Sequence, residues 1–154
     1  MGQIAKALGQ GSNVTYKGQT YKVSPWKYKV LGEFEKYLEE NALAKMRMMR
    51  RALEQDEYDK FVVATHRDIA SGVYTFGSPE TQKALNSRQH FEYLFYLCVL
   101  DNHPGLPYEF VREMVAELGI ETVMEKVTEA NADPTQPTSR TSTDSSGTAT
   151  GETV

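Results

Sequence analysis

Apolar residues recur at helical spacing on both sides of a short polar break at residues 101–105. Before the break, apolar residues stand at positions i, i+3, i+4 and i+7 of one segment, namely Phe91, Leu94, Phe95 and Cys98. After the break, the same spacing returns at Val111, Met114, Val115 and Leu118. Spacing of this kind gives each helix one apolar face. We therefore predict two helices that close face to face as a helical hairpin, whose inner face serves packing.

A second pattern, near the N-terminus, has the alternation of a β-hairpin. Residues 14–23, VTYKGQTYKV, alternate apolar or aromatic residues with polar ones on either side of Lys17-Gly18. A glycine at such a centre accepts the positive φ that tight hairpin turns require. Because an isolated two-stranded hairpin is only marginally stable in water, we expect it to pack on the helices or to extend another sheet.

The rest of the apolar pattern predicts four further helices, over about residues 26–51, 54–71, 79–85 and 120–130. Ser24 is placed as the N-cap of the longest helix, and Pro25 as its first residue, where the missing N–H of proline costs nothing. Ser87 is predicted to cap the helix that carries the first apolar segment. Gly72 suits the C′ position after the second of these helices, and a short extended segment is predicted for residues 73–76.

These elements predict a mainly α fold, a bundle of about five or six helices with a small N-terminal β-hairpin. The predicted organisation is a flexible N-terminus over residues 1–13, one helical domain with its hairpin over residues 14–130, and a Thr/Ser-rich tail over residues 131–154. The tail contains no aromatic residue and no large aliphatic one before Val154, so burial cannot offset the entropy lost on ordering it. We predict that the tail is disordered.

Composition narrows the class of protein. With 154 residues, 40% of them hydrophobic, the chain is the size of one globular domain. Its formal net charge of −4 argues against nucleic acid as the main partner, and no apolar run is long enough to span a membrane. A single cysteine, Cys98, excludes an internal disulfide framework and is expected to be a small buried hydrophobe. We expect a soluble, intracellular protein.

Candidate catalytic chemistry is sparse in the sequence. His66, His90 and His103 stand far apart and form no metal-binding motif, and no recognisable set of nucleophile, base and orienting group occurs. We therefore predict no metal, no cofactor and no enzymatic activity. Since His103 precedes Pro104, it is expected in a loop, where it would cap the end of the preceding helix.

The most distinctive local composition is MRMMRR, at the end of the longest predicted helix: Met46, Arg47, Met48, Met49, Arg50 and Arg51. In one interpretation, Met46, Met49 and Leu53 face the core while the arginines interact favourably with the helix C-terminus. In the other, Met48 and the three arginines form an adaptable surface for a partner helix or peptide that carries carboxylates. Both interpretations remain open from the sequence, and this segment is the candidate partner-binding site.

Two stretches of the chain resemble the bacteriophage tail assembly chaperones, a group of small proteins of phage tail modules. These stretches are LCVLDNHPGL at residues 97–106 and YEFVREMV at residues 108–115. In the family, an apolar helix runs into Asn-His-Pro and is followed by an acidic amphipathic helix and a further short helix. The opening hairpin that leads into a long helix is also similar, so the resemblance covers about residues 14–130.

The resemblance implies a non-enzymatic factor that binds the long tape-measure protein, keeps it soluble and helps tail-tube subunits assemble along it. Such a factor needs no cofactor, acts in the host cytoplasm and is typically absent from the finished particle. Its partners would be the tape-measure and tail-tube proteins, with homo-oligomers also possible. Some members of the family have a longer form made by ribosomal frameshifting.

Two other functions stay open. In the first, the chain is a structural virion protein, such as a head-tail connector or a minor capsid or tail component, whose hairpin extends a neighbour's sheet. In the second, which the acidic charge disfavours, it is a small regulatory protein that binds nucleic acid through Arg47, Arg50 and Arg51.

Overall fold

The computed structural model describes residues 9–132, which form two strands and six helices. Their order is β1 (Ser12–Tyr16), β2 (Gln19–Val23), α1 (Tyr28–Met49), α2 (Gln55–Ala70), α3 (Pro79–Leu85), α4 (Arg88–Leu100), α5 (Tyr108–Leu118) and α6 (Ile120–Asn131). The predicted fold class, mainly helical with a small N-terminal hairpin, is confirmed. Residues 1–8 of the predicted flexible terminus and residues 133–154 of the predicted tail lie outside the described residues.

The predicted β-hairpin is present and is antiparallel, with Val14 opposite Tyr21. Lys17 and Gly18 both have positive φ, 47° and 75°, as a two-residue type I′ turn requires. Residues of β1 alternate between buried and exposed. One face of the hairpin lies on α4 and α6 and contacts Phe110 of α5, while the other faces solvent. The expectation that the hairpin packs on the helices is therefore confirmed.

Hydrogen bonds join the N-terminal part of the described chain to α6 at its C-terminal end. The N–H of Gly11 donates to the carbonyl of Ala130 at 3.2 Å, and the hydroxyl of Ser12 donates to the carbonyl of Lys126 at 2.6 Å. The N–H of Trp26 donates to Oδ1 of Asn131 at 2.8 Å. The hairpin therefore starts at Ser12, two residues before the predicted boundary, and α6 includes Asn131, which was predicted to open the tail.

α4 is the centre of the core. It contacts α1, α3, α5, α6 and β2, and Leu94, Phe95 and Cys98 on its inner face are fully buried. Contacts between α4 and α5 confirm the predicted helical hairpin. Burial raises the pKa of the Cys98 thiol to about 12, so the side chain stays a neutral thiol. Cys98 is thus the small buried hydrophobe that the sequence predicts.

The predicted start of the longest helix is wrong. α1 begins at Tyr28, because Ser24 and Pro25 are buried in the preceding segment rather than placed on a helix end. The hydroxyl of Ser24 donates to Oδ2 of Asp101 at 2.7 Å, so it does not cap α1. Ser87 does occupy the N-cap position of α4, but its side chain makes no capping hydrogen bond.

The end of α2 follows the prediction. Gly72 has φ 77° and lies at the C′ position. Its N–H donates to the carbonyl of Ile69, and the N–H of Val73 donates to the carbonyl of Asp68, at 3.2 and 3.1 Å. This pair of bonds is the Schellman motif, in which a glycine ends a helix by adopting the left-handed conformation.

Residues 73–76 are not extended as predicted but form consecutive turns. The N–H of Thr75 donates to the carbonyl of Gly72, and the N–H of Ser78 donates to the carbonyl of Thr75, both at 3.0 Å. The hydroxyl of Thr81 also donates to the carbonyl of Thr75, at 2.8 Å. Local hydrogen bonds of this kind compete with an extended backbone, and here they win because this segment has no strand to pair with in the described residues.

Candidate protein-binding surface

The long helix α1 extends past the core that it helps to build. It has 22 residues, against 13 for α4, which correspond to about 33 Å and about 20 Å of helix. Its contribution to the central buried cluster ends at Leu38. α1 also packs against α2, the helix that follows it, and α2 contributes no residue to the central cluster. The C-terminal half of α1 and α2 form a two-helix unit, here called the arm (residues 42–70).

The arm divides the predicted partner-binding residues between two environments. Met46 is 8% exposed and Met49 is half-buried, whereas Met48 is 76% exposed. The core-facing interpretation therefore describes Met46 and Met49, and the surface interpretation describes Met48. The helical phase causes this split, because Met48 lies about 130° around α1 from the midpoint between Met46 and Met49.

Arg47, Arg50 and Arg51 are all exposed, and none takes part in an ion pair within residues 9–132. Arg47, Met48 and Arg51 together line a shallow depression of about 420 Å³. A guanidinium without a partner is ready to bind a carboxylate through two parallel hydrogen bonds. An exposed methionine offers an apolar contact that adapts its shape. Arg47, Met48, Arg50 and Arg51 together are called the Arg–Met surface.

A second surface combines tyrosines from three helices, a cluster that the sequence did not reveal. Tyr37 of α1 stacks on Tyr93 of α4, with ring centroids 3.8 Å apart. Tyr96 and Tyr108 extend the cluster at 5.2–5.6 Å. The hydroxyl of Tyr108 donates to Oε1 of Glu92 at 3.2 Å, and burial raises the pKa of Tyr108 to about 12. All four rings are half-buried, and tyrosine is enriched in protein interfaces.

The cleft between α1, α3 and α4 shows no assembled catalytic set. It has a volume of about 350 Å³, and Ser87 and His90 are among its lining residues. Nδ1 of His90 lies 3.1 Å from the hydroxyl of Tyr37, and no hydrogen bond joins His90 to Ser87. Burial also lowers the pKa of His90.

The corner at residues 101–105 binds the β-hairpin through hydrogen bonds and a ring contact. Nε2 of His103 accepts a hydrogen bond from the N–H of Lys22 at 3.0 Å, and its ring lies edge-on to Tyr21 at 5.2 Å. Nδ2 of Asn102 donates to the carbonyl of Lys22 and to the hydroxyl of Ser24, at 3.3 and 2.6 Å. His103 is in a loop as predicted. Its backbone N–H donates to the carbonyl of Val99 in the last turn of α4 at 3.0 Å, so His103 caps the end of this helix as predicted, while its ring bonds β2.

Asp101 is the charged centre of this corner. Its Oδ2 accepts hydrogen bonds from the hydroxyl of Ser24 and from Nζ of Lys27, at 2.7 and 3.2 Å. Nζ of Lys29 lies 3.5 Å from its Oδ1. The hydrogen bond from Ser24, together with Lys27 and Lys29, lowers the pKa of Asp101. The polar side chains of residues 101–103 therefore serve to hold the β-hairpin and the segment after it on the helices.

Residues 9–132 were compared with the requirements of a membrane-spanning helix and of a metal site. No helix there has the length and apolarity to cross a bilayer. The same residues contain no group of three or more His, Cys, Asp and Glu side chains that could hold a metal ion. Comparison of the chain with protein-family models, with curated proteins and with solved structures found no match.

Proposed function

We propose that this chain is a non-enzymatic tail assembly chaperone of a bacteriophage. It binds the tape-measure protein in the host cytoplasm, keeps it soluble and assists assembly of the tail tube along it. The observation that carries the proposal is the Arg–Met surface. There Met48 is 76% exposed beside three arginines that form no ion pair within the described residues.

The chemistry of this surface suits an amphipathic helix of the client. A stripe of apolar client residues would cover Met48, while client carboxylates beside the stripe would bind the guanidinium groups of Arg47 and Arg51. Methionine has flexible, polarizable side-chain atoms, so one surface can accept helices of different sequence. A long client with many such helices would recruit many copies, and each contact could be weak without loss of the client.

Co-expression with the tape-measure protein of the same genome tests this proposal. We expect the native chain to raise the soluble fraction of the client several-fold over expression alone, and the double variant Met48→Asp with Arg51→Glu to remove this gain. Met49 is left unchanged because it is half-buried within the arm, where a charge would disturb folding. The measurement is the soluble share of the client on quantitative gels.

The matched control is Tyr28→Asp, which changes another exposed hydrophobic residue, 81% exposed, at the opposite end of α1. An acidic residue in the first turn of a helix is favourable, so this variant keeps the fold and should still solubilise the client. A client that is equally soluble with the double variant and with the native chain would contradict the proposed site.

A structural virion protein is the second candidate, and one edge of the hairpin favours it. Within residues 9–132, no hydrogen bond engages the outward-facing backbone groups of Asn13 and Thr15 on β1. On β2 the corresponding groups of Lys22 are already bound by His103 and Asn102. A neighbour's strand could therefore add at β1. Copies of the chain in purified particles, in fixed ratio to a head or tail ring, would support this candidate over the chaperone.

A further inference from the structure

α6 carries a surface that mirrors the Arg–Met surface with the opposite charge. Met124 is 49% exposed, and Glu121 and Glu125 lie beside it on the exposed side of the helix. Within residues 9–132, neither glutamate forms an ion pair. We call Glu121, Met124 and Glu125 the Glu–Met surface.

The acidic character continues along the chain beyond these residues. Glutamates recur at every fourth position through α5 and α6, all of them exposed: Glu109, Glu113, Glu117, Glu121, Glu125 and Glu129. Only the two at the ends of this series form ion pairs in the described residues, with Arg112 and Lys126. Positive charge is instead concentrated at the end of α1, so the two surfaces are complementary in charge.

The two surfaces are complementary in apolar character as well. Large hydrophobic side chains that remain exposed in the described residues are few, namely Tyr28, Met48, Val63 and Met124. Met48 is flanked by Arg47 and Arg51, whereas Met124 is flanked by glutamates. Contact between the two methionines would remove both from water and would place each guanidinium opposite a carboxylate.

We propose that the protein self-associates head to tail, with the Arg–Met surface of one copy seated on the Glu–Met surface of a second copy. Because the two surfaces differ, a pair of copies keeps one free surface of each kind, and further association builds chains or closes into rings. Exposed ion pairs are weak and are screened by salt, so the association is weak and falls as salt rises.

This inference does not depend on the proposed function, although it uses the same Arg–Met surface. A client helix with carboxylates would compete with the Glu–Met surface of a neighbouring copy. Self-association can therefore be measured with the purified full chain alone, and its failure would leave client binding untouched.

Sedimentation velocity of the full chain over a range of concentrations tests the proposal. We expect average mass to rise with concentration at low salt and to fall to that of one copy near 1 M salt, where the Debye length is about 3 Å. Arg47→Glu with Arg51→Glu, and separately Glu121→Arg with Glu125→Arg, should each weaken self-association at least about tenfold, a change of about 1.4 kcal/mol. Each variant then presents two surfaces of like charge.

An equimolar mixture of the two variants is the decisive arm of the experiment. Each reversed surface meets a complementary one on the other variant, so self-association should return in the mixture. This recovery also shows that both variants are folded. The control Lys60→Glu with Arg67→Glu makes the same change of net charge at exposed residues of α2 and should associate like the native chain.

Three results would overturn the proposal. The first is a native chain that sediments as one copy at low salt at every concentration. The second is a control variant whose self-association is weakened as much as that of the Arg47 and Arg51 variant, because the loss would then follow from the net charge alone. The third is a mixture of variants that stays dissociated while circular dichroism shows both to be folded, since the two surfaces would then not face each other.

Discussion

Replacing Phe34 with alanine is expected to lower the free energy of unfolding by about 3–5 kcal/mol, the usual cost of truncating a buried aromatic side chain. Phe34 is fully buried, belongs to the central cluster and holds α1 to it. Its ring also stacks with Tyr37 at 6.0 Å. Since a domain of this size is typically stable by about 5–15 kcal/mol, this single change would remove a large share of the total.

Urea unfolding followed by circular dichroism measures this change. The matched control is Met48→Ala, on the same helix but exposed, which should alter the free energy of unfolding by less than about 0.5 kcal/mol. A loss below about 1 kcal/mol for Phe34→Ala would mean that α1 is not anchored to the core through this side chain.

Replacing Asp101 with asparagine is expected to cost about 1.5–3 kcal/mol at neutral pH, because hydrogen bonds to a charged group are lost. The carboxylate accepts from Ser24 and Lys27, and Lys29 lies nearby, at an aspartate side chain that is only 12% exposed. These bonds join the segment before α1 to the end of α4. Thermal unfolding of the two proteins in parallel gives the difference.

The effect of Asp101 should depend on pH in one direction. The hydrogen bond from Ser24 and the neighbouring lysines lower the pKa of Asp101 in the folded protein, below its unfolded value of about 3.9. Its contribution to stability is therefore complete above that unfolded value and is lost as pH falls through the folded pKa. The stability gap between native protein and Asp101→Asn should be constant near neutral pH and narrow in acid. A gap that stays the same throughout would mean that the charge of Asp101 is not the cause of the cost.

Most elements of the fold follow from local sequence signals. The hairpin was predicted from alternation around Lys17-Gly18, whose residues do adopt the positive φ of the turn. Gly72 was predicted at the end of α2 and lies there. These signals succeed because periodicity and turn chemistry act between residues close in sequence.

The failures involve partners that are distant in sequence. Ser24 has the local features of a helix cap, but its hydroxyl is used by Asp101, 77 residues away. The ring of His103 bonds the backbone of Lys22, 81 residues away, a contact that the sequence does not predict. The sequence within a few positions of Ser24 or His103 gives no sign of either partner. A tertiary contact thus overrides local preference at Ser24 and adds an unpredicted bond at His103.

For the same reason, the sequence predicts the segment that forms the candidate site but not which of its side chains are exposed. Composition points to residues 46–51, but only the tertiary packing of α1 determines that Met46 and Met49 face inward and Met48 faces solvent. The tyrosine cluster was missed because its rings come from α1, α4 and α5. Tyr93 and Tyr96, three residues apart on one helix, were the only local hint of it.

Isothermal titration calorimetry between the purified chain and a helical fragment of the tape-measure protein is the most direct test of the proposed site. The native chain and Tyr28→Asp should bind with the same affinity, while Met48→Asp with Arg51→Glu should bind at least about tenfold more weakly, a change of about 1.4 kcal/mol. Equal affinity for the native chain and the Met48 and Arg51 variant would contradict the assignment of client binding to the Arg–Met surface.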